Sequence, residues 1–252
     1  MKIGYVNRSD IPAISVSQMK KIDRLMLEQI GVNIEMMMEN AGRSLAEIAR
    51  FMLDRSILNK NILIFAGKGN NGGGALAAAR HLLDQGAKID VYLSTELEKL
   101  NPATLKQAEI LQKSGKNLED FENGNLNEIL RNISKADLII DGLIGYGLNG
   151  DPKEPISDFI DFINNSKAKV LANDIPSGLN GDLGVAYDPC IKADATLTLA
   201  LPKRGLYRST ADKYVGDLFV SSLTVPYNVY QHLGLELPIF YDLSEIVQIL
   251  KS

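Results

Sequence analysis

The stretch NILIFAGKGNNGGGALAAARHL, residues 61–82, decides the fold. A short apolar run, NILIF, leads into glycine and then into an alanine- and leucine-rich segment of helical character. That order is a strand, a turn and a helix, the repeating unit of a parallel α/β sheet. Five of the nine residues from Ala66 to Gly74 are glycine. A tight turn accounts for one or two of them. Five imply that something approaches the main chain closely. Successive N–H groups at a helix N-terminus also form a cradle for an anion such as phosphate.

The same unit recurs outward from this point. IDVYL (89–93), ADLIIDGLIG (136–145), AKVLANDIPSG (168–178), ADATLTLALPK (193–203) and VGDLFVSSLTV (215–225) read as strands or strand–turn segments. Helices are expected in 101–115, opened by Asn101 and Pro102, in 125–134 and in 154–166. Upstream, Ile22, Leu25, Met26 and Ile30 recur at helical spacing, with Ser15 or Ser17 as cap and Gly31 as stop. A second helix follows Asn33 and carries Met36, Met37, Met38 and Leu45, read chiefly as core packing. YDLSEIVQIL (241–250) reads as a short terminal helix. The expected architecture is a single α/β domain over 1–252. It has a helical extension over about 15–58, a core over about 60–225 and a short C-terminal tail.

Composition bounds the function. The chain has 252 residues, 45% hydrophobic and 23% charged, with a formal net charge of -4. An acidic balance argues against nucleic acid as the main partner. One cysteine, Cys190, excludes an intrachain disulfide and favours a reducing cytoplasm, with a periplasm as the alternative. The first residues lack an apolar signal core, and no apolar run is long enough to span a membrane.

Ligands of open parallel sheets bind outside the carboxyl ends of the strands. Three unusual loops follow apolar strands here: 67–74, 141–150 and 173–184. Gly67, Gly69 and Gly72 have G-x-G-x-x-G spacing, with Asp90 about 20 residues on, so a Rossmann-type dehydrogenase is one rival. Asp141 and Asp174 end two adjacent strands, and Ser177 follows the second. Asp141 reads either as a loop cap or as a functional carboxylate. Oxygens from these three loops would suit a hard cation. The two histidines and the lone thiol do not form a zinc pattern. Ser177 lacks a nucleophile elbow, and the glycine loop lacks the terminal Gly-Lys-Ser/Thr of an ATP-binding P-loop.

LMLEQ (25–29), MMENAGR (37–43), AGKGNNGGG, LIIDGLIGYGLNG, ANDIPSGLNGDLG, ADATLTLALPKRGL and VGDLFV occur in this order. Together they resemble the YjeF N-terminal domain family, whose best-known members are NAD(P)H-hydrate epimerases. The resemblance runs from about residue 15 to about 225. It implies a Rossmann-like three-layer αβα sandwich with a mostly parallel sheet, and a homodimer. It implies epimerisation of hydrated NADH and NADPH at C6 of the nicotinamide ring, with potassium as cofactor. By motif, Asn70, Asn71, Gly72, Gly73 and Gly74 would contact the substrate. So would Gly145, Tyr146, Gly147, Leu148, Asn149, Gly150 and Asp151, together with Asp174. Asn71, Asp141 and Ser177 would hold the potassium ion. Asp141 is the expected acid/base group, since one titratable carboxylate can both give and take the proton that inversion requires. Three departures stand out. Gly74 and Ala75 replace the last two residues of the usual GNNGGDG. Tyr146 stands where small residues are usual. Asn180 and Gly181 interrupt the usual DIPSGLDADTG. These leave a non-catalytic nucleotide- or RNA-binding scaffold as the alternative.

Overall fold

A computed structural model describes residues 3–121, 124–235 and 244–251. The strands are β1 (Gly4–Asn7), β2 (Asn61–Ala66), β3 (Lys88–Leu93), β4 (Leu118–Asp120), β5 (Leu138–Gly142), β6 (Lys169–Asn173), β7 (Ala195–Leu199), β8 (Asp217–Ser221) and β9 (Ile246–Leu250). They form one sheet in the order β1-β9-β8-β7-β6-β5-β2-β3-β4. Each pairing is parallel except β8 with β9. The helices are α1 (Val16–Leu25), α2 (Ile34–Met52), α3 (Asn70–Asp84), α4 (Pro102–Lys113), α5 (Leu126–Ile133), α6 (Ile156–Asn164), α7 (Asp212–Val215) and α8 (Tyr227–Gln231). The result is the three-layer αβα arrangement, with α1 and α2 as the N-terminal helical extension.

Alternate residues of β2 show why its run is apolar throughout. Ile62, Ile64 and Ala66 pack with Leu45, Ile48, Leu76 and Leu82 of α2 and α3. Leu63 and Phe65 face the other way, onto Phe159, Ile160 and Ile163 of α6. A strand covered on both faces has no polar side to display. Caps set the helix starts. Ser15 opens α1 through a capping box with Gln18, which decides between the two serine candidates. The Asn33 side chain accepts from the Met36 amide at 2.9 Å. One turn of wider π geometry, Met26–Ile30, follows α1 and ends at Gly31 with φ 81°.

Two features differ from the sequence expectation. The terminal segment is not helical: Ile246–Leu250 is β9, antiparallel to β8 and parallel to β1. Residues 241–243 of that expected helix lie outside the described residues. A five-residue run with four apolar residues and Gln248 fits either period, and β8 and β1 decide the outcome by offering free backbone on both sides. The strands β1 and β4 were not anticipated; each is short and pairs with one neighbour only.

The chain order reverses at β2. From β2 it runs through β3 to β4, then returns to β5 on the other side of β2. The crevice between the carboxyl ends of β2 and β5 is therefore the topological switch point.

Candidate functional site

The glycine loop crosses that crevice. A Cβ on Gly67 would lie 1.8 Å from the Leu143 carbonyl oxygen, and one on Gly72 would lie 1.9 Å from the Gly67 carbonyl oxygen. The bare backbone thus lets the loops after β2 and β5 touch. Much of the close approach inferred from the glycines is the protein's own. The first turn of α3 then opens onto a cavity of about 640 Å³, a normal size for a small-molecule site. A second hollow, of about 460 Å³, lies under Val185, Ser209 and Tyr214, away from the glycine loop.

The larger cavity brings together only part of the expected set. Asn70, Asn71, Gly74, Gly145, Tyr146, Gly147 and Asp174 line it. Gly72 and Gly73 are buried behind the loop, and Leu148, Asn149, Gly150 and Asp151 are not in the lining. Asp151 instead accepts from the Asp188 amide at 3.1 Å. Asp141 and Ser177 also lie outside the lining, both fully buried at the carboxyl ends of β5 and β6.

Asp141 is 0% exposed and held by neutral donors. Its Oδ1 accepts from the Ser177 hydroxyl at 2.6 Å and the Leu143 amide at 3.1 Å; its Oδ2 accepts from the Ser177 amide at 2.8 Å. Burial pushes its pKa up to about 6, against the lowering effect of these bonds. Among the described residues, no lysine or arginine is bonded to it. The available donors are a carboxylate, a hydroxyl and the nearby Asn71 amide, and all fit a hard cation through oxygen. Among the described residues, no group of three or more His, Cys, Asp and Glu is placed to hold a metal. An oxygen site for a monovalent ion does not require such a group.

Asp174 has a different setting. It sits at φ 65°, in the left-handed region that non-glycine residues seldom occupy, and that conformation turns it into the cavity. Its Oδ1 accepts from the ammonium of Lys203, from the Leu199 amide at 3.2 Å and from Thr198 Oγ1 at 3.3 Å. Lys203 is 0% exposed and also donates to the Leu199 carbonyl at 2.9 Å. A buried ion pair of this kind is costly to break from one side only. Tyr146 completes this wall. Its ring centroid is 6.0 Å from the Lys203 ammonium, and its hydroxyl donates to Asp23 of α1. Burial raises the Asp23 pKa; the Tyr146 hydrogen bond and the Lys203 charge pull it down, and the Asp174 charge adds to the rise. Burial and the Asp23 charge raise the Tyr146 pKa.

Lys203, Asn173 and Asp23 are among the lining residues that escaped the sequence reading. Lys203 had a signal, since it is the first charged residue after an apolar strand end. Asn173 stood beside Asp174 as the first residue of the 173–184 loop, but no role was drawn from it; the structure makes it the last residue of β6. Asp23 had none; on its own helix it is one polar position between Ile22 and Leu25. Asp90, needed by the dehydrogenase alternative, is exposed within β3 and is not in the lining.

Residues 34–205 match the family described as YjeF-related protein N-terminus. An NAD(P)H-hydrate epimerase of Dehalogenimonas lykanthroporepellens is 34% identical over 94% of this chain and 91% of its own length. That of Rhodopirellula baltica is 31% identical over 89% of each chain. The bifunctional NAD(P)H-hydrate repair enzyme Nnr of Moorella thermoacetica is 35% identical over 84% of this chain, which spans 40% of that longer protein. The crystal structure of yeast ynu0 superposes with a TM-score of 0.81, covering 95% of this chain and all of the other at 22% identity.

Proposed function

Because the chain belongs to the YjeF-related N-terminal family, we propose that it is an NAD(P)H-hydrate epimerase, interconverting the R and S forms of hydrated NADH and NADPH. The observation that carries this reading is the convergence of the family's motif loops on one cavity at the switch point, with an ion-paired carboxylate in its wall.

The reacting carbon, C6 of the nicotinamide ring, bears both nitrogen and hydroxyl. Inversion needs it to become planar, by ring opening or by loss of the hydroxyl. In ring opening, a base takes the hydroxyl proton as the C–N bond breaks, and the proton is returned after the aldehyde turns its other face. In hydroxyl loss, an acid protonates the leaving oxygen, water departs, and the same group takes a proton from the water that re-adds. Both routes use one group twice and consume nothing. We assign that role to Asp174 rather than Asp141, because Asp174 lines the cavity and Asp141 does not. Lys203 pairs with the Asp174 carboxylate and holds it in place, and the Leu199 amide fixes its orientation. The amides opening α3 favour a substrate phosphate near Asn70 and Asn71. Asn71, Asp141 and Ser177 would hold potassium, which when bound supplies a fixed positive charge beside the buried carboxylate. A homodimer in the cytoplasm belongs to the same reading.

The test is chiral separation of NADHX incubated with the protein and potassium. Equilibration well above the uncatalysed rate is expected. A rate no faster than the uncatalysed one refutes the enzyme reading and leaves a binding scaffold.

A further inference from the structure

Asn173, at the carboxyl end of β6, has no part in the acid–base chemistry above. It is 1% exposed and lines the cavity. Its Nδ2 donates to the Asn71 main-chain carbonyl at 3.0 Å. A carbonyl oxygen only accepts, so this bond settles which end of the amide is nitrogen. Oδ1 is therefore an acceptor, and it is buried with no protein partner. The side-chain nitrogen of Asn71, a second lining residue, is also buried without a partner. Native proteins leave few such groups unpaired, and two in the lining of one cavity point to a ligand that completes them.

Gly74 makes room for this arrangement. A Cβ there would lie 2.9 Å from Asn173 Nδ2, so a side chain at position 74 displaces the Asn173 amide. The acidic residue of the usual GNNGGDG motif and the Asn173 amide thus compete for one small volume.

We propose that Asn173 Oδ1 accepts a hydrogen bond from the carboxamide NH₂ of the substrate's nicotinamide ring, while Asn71 Nδ2 donates to the carboxamide oxygen. The proposal rests on the reading of the cavity as the NAD(P)H-hydrate site. A primary carboxamide presents a donor and an acceptor in one planar group, matching the two unpaired atoms. The corresponding carboxylate presents acceptors only and sets its lone pairs against Asn173 Oδ1. Asn173 is then a specificity-determining residue that selects the amide over the acid.

Calorimetric titration with NAD and with its nicotinic acid counterpart, deamido-NAD, tests this on the intact protein. Wild type should bind the amide form about 5- to 100-fold more tightly, the range for leaving a buried polar group unsatisfied. Asn173→Ala should remove most of that ratio; the two dinucleotides share their AMP moiety, so any loss at the Asn71 main chain, which Asn173 also holds, cancels in the ratio. Gly74→Ala should lower the ratio as well, by crowding the Asn173 amide while leaving residue 173 itself intact. A ratio preserved in both variants, or equal binding of the two dinucleotides by wild type, overturns the proposal. Failure of wild type to bind either dinucleotide or AMP overturns the cavity assignment itself, and the inference with it.

Discussion

Replacing Lys203 with methionine keeps most of the side chain's length and removes its charge. Among the described residues, Asp174 then retains the Leu199 amide and Thr198 hydroxyl, at 3.2 and 3.3 Å, in a site where its side chain is 6% exposed. Removing one partner of a buried pair typically costs about 3–5 kcal/mol, because the other charge stays behind unpaired. For a chain of this size each kcal/mol lowers the melting temperature by roughly 2–4 °C, so a fall of about 6–20 °C is expected. Asp174→Asn should also destabilise, by leaving the ammonium unpaired. The double variant, Lys203→Met with Asp174→Asn, buries no charge at either position. It should recover part of the loss, with a coupling of about 1–3 kcal/mol. Urea denaturation of wild type, both single variants and the double variant measures this directly. Single-variant losses that add to within about 0.5 kcal/mol would refute the ion-pair argument. Epimerisation rates on the same four proteins separate stability from chemistry. If Asp174 carries the proton, the double variant should be more stable than Lys203→Met yet still lack roughly 10²- to 10⁴-fold of the wild-type rate. A double variant with near wild-type activity removes that role from Asp174.

Ser177→Ala deletes one oxygen donor beside Asp141, so the potassium concentration for half-maximal activity should rise several-fold, with much of the rate restored at high potassium; an unchanged potassium curve places the cation elsewhere. Acid sensitivity has a traceable source at Asp137: burial pushes its carboxyl up, but the Lys60 hydrogen bond, the Asn61 amide and the Lys60 charge together outweigh this and leave the pKa below its ordinary 3.8. A lowered folded-state value stabilises above the unfolded pKa and is lost as pH falls through the folded one, so Asp137→Asn should flatten the decline in urea midpoint below about pH 4, and an unaltered decline refutes the assignment. Homodimerisation predicts a light-scattering mass well above 27.6 kDa at micromolar concentration, and a mass of 27.6 kDa at every concentration refutes it. On α2, Leu45 and Met38 are buried within the chain and Met37 lines the cavity, whereas Met36 is 56% exposed and could serve a dimer face.

Local pattern was sufficient wherever a segment's fate is set by its own period and caps. NILIFA had to be a doubly covered strand because it has no polar face, and Pro102 after Asn101 had to open a helix because proline suits the first turn. The three glycine-bearing loops were legible for the same reason: strand ends in a parallel sheet are where ligands bind, whatever the residues between them. What sequence could not supply was direction and distance. Asp141 and Asp174 look equivalent along the chain, each closing an apolar strand. Only the fold turns one inward against Ser177 and, through its left-handed backbone, turns the other into the cavity against Lys203. Lys203 lies 29 residues beyond Asp174, and Asp23 lies 123 residues before Tyr146. Local periodicity carries no information about such pairings. The last strand makes the same point: Ile246–Leu250 is apolar enough for either a helix or a strand. It becomes a strand because β8 and β1 present unpaired N–H and C=O groups on either side, and a buried backbone must find partners for its own.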